Sequence, residues 1–99
     1  MGSNTGACFG IITELRALLE RLATVDLTVM SDAALLAGLR ELRPAMCQAQ
    51  AVEHRLVGAV HARGATRVEG AVSTAAWLRN RLHVADATVL VRSAAALDR

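Results

Sequence analysis

The sequence predicts an all-α protein: a short helix, a long proline-kinked amphipathic helix, then a helix-turn-helix-like hairpin. Three observations carry this reading. Alanine, the best intrinsic helix former, occurs twenty times in 99 residues, and leucine is close behind it in propensity. Hydrophobic residues make up 54% of the chain but aromatics only 2%, so the apolar mass is alanine, leucine and valine. Apolar residues also recur in steps of three and four over most of the chain, the period of one helix face.

The opening "MGSNTGACFG", residues 1–10, reads as a disordered lead of small residues. Helical spacing begins at Ile11 and continues through Ile12, Leu15, Leu18, Leu19 and Leu22 to about Ala23, with Arg16 and Glu20 four apart on the wet side. The β-branched stretch "TVDLTV" breaks that pattern. Ser31 offers the next N-cap, and Asp32 places negative charge in the first turn that follows.

The long second helix carries a heptad seam of Leu35, Leu39, Leu42, Met46, Ala49, Glu53, Leu56 and Val60, widened by Leu36, Val52 and Val57. Pro44 lies inside it. A proline ring clashes with the carbonyl four residues back and cannot donate to it, so a kink or a break belongs here. The seam keeps its register across Pro44, which favours one kinked helix of about thirty residues, ~45 Å long. Gly64 is a natural stop after Arg63.

A loop is expected from Gly64 to Val72. Ser73 then caps a helix through Leu82, with Trp77, Leu78 and Leu82 on its apolar face and Trp77 as the structural anchor. "HVAD" is the turn. The last helix starts near Asp86, shows its stripe at Val89, Leu90, Ala94 and Leu97, and is still running at Arg99. Ninety-nine residues hold one core at most. Residues 11–99 therefore read as a single helical domain, and the running last helix suggests a cut from a longer parent.

The chemistry-bearing residues form no catalytic pattern. His54 and His61 are seven apart on one helix, about 10 Å along its axis, too far to share one ion. A helical zinc pair uses a spacing of four. Cys8 and Cys47 are far apart and make no C-x-x-C, and Cys47, on the long helix, reads as a small apolar filler. "GATRVEG" lacks the spacing of a phosphate-binding loop. No catalytic, cofactor-binding or metal-binding residue is expected.

Net charge is +2, and the excess of arginine over acids lies after Arg63. Arg63, Arg67, Arg79 and Arg81 are the candidates for phosphate contacts; a solvated basic rim is the alternative, and any nucleic-acid binding is expected to be weak and non-specific. Leu35, Leu39, Leu42, Met46, Leu56 and Val60 are the candidate interface, since a seam this long exceeds what a small chain covers. The partners expected are a second copy or another helix. No uncharged apolar run reaches the ~18 residues of a membrane span. No basic, apolar signal segment opens the chain, and a reduced cytoplasmic setting is expected.

"HARGATRVEGAVSTAAWLRNRL" resembles the actinobacterial 13E12 repeat family, also called domain-of-unknown-function family 222. The pattern runs from a long helix ending in "ARG", through "EGA", to "STAAWL". The amphipathic helix upstream, "LAGLRELRPAMCQAQAVEHRLVGAV", is similar in character, and the likeness spans about Ser31 to Arg99. The resemblance implies the helical N-terminal region of HNH-endonuclease-type proteins, in a DNA-related, mobile-element setting. This chain has no match to the His-Asn-His set of the nuclease module itself. It also has "HVADAT" where family members start the final helix with Ser-Pro. As a DNA reader the hairpin is poor: base readout needs side chains that reach base edges, and its last helix offers Thr88, Arg92 and Ser93 among alanine, valine and leucine. A packing hairpin is the favoured reading. The expected function is a non-catalytic module of that family, with a dimerisation module or a functionless repeat fragment as alternatives.

Overall fold

The computed structural model describes residues 3–97. It is all-α, with four helices, two 3-10 turns and no strand among the described residues: α1 (Ser3–Ala23), α2 (Asp32–Arg63), α3 (Thr74–Arg81) and α4 (Ala87–Leu97). The 3-10 turns are Leu27–Val29 and Ala65–Glu69. The expectation that the last helix reaches Arg99 falls outside the described residues. The expected single domain over 11–99 is replaced by two compact units that divide between Leu39 and Arg40. The reason is visible in burial: among the described residues, every buried side chain lies between Val57 and Ala94.

The first unit holds α1 and the start of α2. The lead predicted to be disordered is helical from Ser3 onward. Extending an existing helix backwards needs no new nucleus, whereas starting one is costly. That offsets the poor propensity of Gly6 and Gly10. α1 closes with the Thr24 and Val25 N–H groups donating to the Arg21 and Leu22 carbonyls, each at 3.2 Å. Asp26 then caps the first 3-10 turn. Its Oδ1 accepts from the Thr28 hydroxyl at 2.6 Å and the Thr28 N–H at 3.0 Å. Those two bonds hold the Asp26 carboxyl below its ordinary range, because they favour the charged form. Ser31 Oγ accepts from the Ala34 N–H at 3.1 Å, the cap its sequence position predicts.

α2 runs unbroken through Pro44 for 32 residues, about 48 Å. Gly64 ends it with φ +60°, a left-handed conformation that glycine adopts without Cβ strain. The predicted loop contains the second 3-10 turn, closed by Gly70 at φ +77°.

The second unit, from Arg40 on, is built around α3 and α4 packed on the end of α2. Its core is Val57, Leu78, Ala87, Val91 and Ala94, with Ala75, Trp77, Val84 and Leu90 against it. Where α2 crosses α4 the residues are small, Gly58 and Ala94, because the backbones come close. A Cβ on Gly58 would lie 3.4 Å from the Ala94 carbonyl oxygen and 3.9 Å from its Cβ. This approach selects the inner face of α4 as Ala87, Val91 and Ala94, in steps of four and three. The predicted stripe is corrected accordingly: Val89 is 59% exposed, and on the side of α3 Leu82 is 55% exposed.

Ser73 caps α3 through its Oγ, which accepts from the Ala76 N–H at 3.0 Å. The other end of α3 is less ordinary. The Leu78 carbonyl accepts from both the Leu82 and the Val84 N–H, each at 3.1 Å. His83 sits between those donors at φ +58°, where the chain leaves the helix through a left-handed residue that is not glycine.

Candidate functional site

An apolar groove of about 310 Å³ lies between α2 and α3 in the second unit. α2 contributes Leu56, Val57 and, one turn further on, Val60. α3 and its exit contribute Thr74, Trp77, Leu78, Leu82 and Val84. Glu53 is the one acidic group in the lining. Thr74 is buried, and its hydroxyl lies 3.4 Å from the His61 Nδ1.

Trp77 forms one wall. The indole is half-buried against the core, and its Nε1–H donates to Glu69 Oε1 at 2.9 Å. That bond ties α3 to the preceding 3-10 turn, and the indole sits at the rim of the core. Leu78, 4% exposed, is the side chain at the centre. No sequence pattern pairs Trp77 with Glu69; the "EGA" stretch eight residues before the tryptophan is its only trace.

The long-helix seam divides. Leu56 and Val60 line the groove. Leu35, Leu39 and Met46 are exposed, and Leu42 is partly buried.

The four arginines are all exposed but do not converge as a set. Arg63 closes α2. Arg67 folds its guanidinium back over the bare Cα of Gly64. Arg79 and Arg81, two apart on α3, point to different sides. The Nη2 of Arg79 donates to Thr88 Oγ1 on α4 at 3.3 Å. Arg81 lines a shallow hollow with Val72, Trp77 and Asn80. Thr88, one of three side chains a reading helix would have offered, is thus engaged within the hairpin.

The histidines are also separate. His54 Nδ1 lies 2.9 Å from the Gln50 carbonyl on its own helix, His61 meets Thr74, and His83 forms the turn. Glu53, His54 and Asp86 do share a polar hollow of about 440 Å³ with Gln50 and Ser93. Sequence spacing gave no sign of this juxtaposition, because Asp86 reaches it only through the hairpin. Among the described residues, no three His, Cys, Asp or Glu side chains are grouped as metal ligands. Cys8 and Cys47 are exposed free thiols, so Cys47 is not the apolar filler its place on the long helix suggests.

The fold and its open apolar faces define a small all-α protein, and no described helix is long and apolar enough to cross a membrane. Compared with protein-family models, with curated proteins and with solved structures, the chain matches none.

Proposed function

We propose that this chain is a non-catalytic helical association module, joining copies of itself through apolar helix faces. Its resemblance to the 13E12 repeat family sets that association in a DNA-related context. One observation carries the reading: side chains spaced along helices for packing remain open to water. On α1 Ile11 is 65% exposed and Leu18 55%; on α2 Leu35 is 38%, Leu39 58%, Met46 47% and Leu56 43%. Single exposed leucines are ordinary, but aligned apolar patches mark interaction surfaces. Each square ångström of apolar surface removed from water stabilises an assembly by about 25 cal/mol.

Sedimentation velocity from low to high micromolar concentration tests the proposal. The sedimentation coefficient is expected to rise with concentration. A single monomeric species across that range would refute self-association.

A further inference from the structure

Cys8, Ile11, Leu15, Leu18 and Leu22 follow one another along α1 in alternating steps of three and four. These are the a and d positions of a heptad, and they form one line down the helix. All five are exposed. A helix in water draws most of its stability from packing such a face, not from propensity, and α1 also carries two glycines.

The two borders of this line differ. Ile12 and Leu19 widen it on one side. Glu14 and Arg21, seven residues apart, form the edge on the other. Arg16 and Glu20 stand away from the line, four apart, where they can offset one another within the helix. The Glu14–Arg21 side is the more open one: Ile11 and Leu18 are 65% and 55% exposed, against 37% and 49% for Ile12 and Leu19.

We propose that α1 is the self-association element and pairs antiparallel with α1 of a second copy. This rests on the association reading above and says which surface performs it. In an antiparallel pair related by a two-fold axis, like edges meet. Leu15 then packs on Leu18 of the second copy, Ile11 on its Leu22, and Glu14 lies beside its Arg21. Symmetry makes that ion pair twice. Parallel pairing brings unlike edges together instead; Glu14 then meets Leu19, and neither edge charge finds an opposite charge within the helix. The antiparallel arrangement is therefore the one that satisfies both the apolar line and its charged border.

The test uses the full chain and sedimentation equilibrium. Glu14→Arg puts two like-charged arginine pairs across the interface, and Arg21→Glu puts two glutamate pairs there. Each is expected to weaken the dimer roughly tenfold or more, since two exposed attractions become two repulsions. The double swap, Glu14→Arg with Arg21→Glu, restores wild-type affinity. An equimolar mixture of the two single variants forms a heterodimer tighter than either homodimer. Single variants that dimerise as tightly as wild type, or a mixture no tighter than its components, overturn the α1 proposal and leave self-association standing. A wild-type chain that stays monomeric overturns both. Mild oxidation gives a further check. In the antiparallel pair the two Cys8 residues lie about 25 Å apart, so no rapid disulfide forms between them. A rapid cross-link abolished by Cys8→Ser overturns the orientation.

Discussion

Replacing His83 with glycine is expected to stabilise the second unit. His83 is held at φ +58° while its side chain is exposed. A left-handed conformation costs an L-residue roughly 1–2 kcal/mol, because Cβ crowds the following carbonyl. Glycine escapes that cost but loses about 0.5–1 kcal/mol more backbone freedom on folding than a residue with a Cβ. The difference lies between about 0 and 1.5 kcal/mol, with a central gain of about 0.75 kcal/mol. For a unit of this size that central gain raises Tm by roughly 3–6 °C, at about 4–8 °C per kcal/mol. The assay is thermal and urea denaturation, followed by far-UV dichroism and by the fluorescence of Trp77, the sole tryptophan. His83→Ala is the control: it removes the imidazole and keeps the Cβ. It is expected to change stability little. If His83→Gly lowers stability, or moves it no further than His83→Ala does, the left-handed backbone is not what limits this turn.

Further outcomes follow from the core and the caps. Leu78→Ala should cost about 3–5 kcal/mol, as truncations of enclosed leucines do. Trp77→Phe keeps the ring packing, loses the bond to Glu69 and should cost about 1 kcal/mol; equal losses in urea denaturation would contradict the central placement of Leu78. Gly58→Ala fits at van der Waals distance from Ala94 and removes a helix-interior glycine, so Tm should hold or rise. Gly58→Leu should lower it sharply, and a tolerated leucine would disprove the close crossing. Asp26 has its folded-state pKa lowered by Thr28. Its contribution to the first 3-10 turn is therefore fully present above the unfolded aspartate pKa and is lost as pH falls through the folded value. An NMR titration should place the Asp26 midpoint below the ordinary aspartate range, and Thr28→Val, which removes the hydroxyl but keeps the backbone N–H, should raise it only part of the way back.

Features set by near neighbours in sequence were readable before any coordinates. Ser31 and Ser73 each cap an N–H three residues ahead, and Gly64 stops the helix just before it. The unbroken passage through Pro44 was readable from the seam, which keeps its phase on both sides. The inner face of α4 was not. A helix of alanine, valine and leucine is apolar on several sides, and the side turned inward depends on where Gly58 lets the Ala94 backbone approach. That contact spans distant parts of the chain and has no local signature. The groove was legible only in pieces. Leu56, Val60, Trp77 and Leu82 each stood out, but nothing in their spacing said that they share one wall. The start of α1 was missed because two glycines and a run of small polar residues read as a lead, while helix extension outweighs their poor propensity.

The closeness of Gly58 to Ala94 also sets an order of events in folding. α3 has eight residues and α4 eleven, too few for either to persist alone in water. The α3–α4 hairpin can nonetheless form early, because its contacts are local and local contacts form quickly. It then dissolves as readily as it forms until Ala87, Val91 and Ala94 reach Val57 and Gly58. Closing that span is the slower step, since loop entropy must be overcome before the distant contact contributes. During synthesis α2 leaves the ribosome long before its partner residues do. Until Ala94 has emerged, Gly58 lacks the backbone it packs against, and the core of the second unit is complete only once α4 is made.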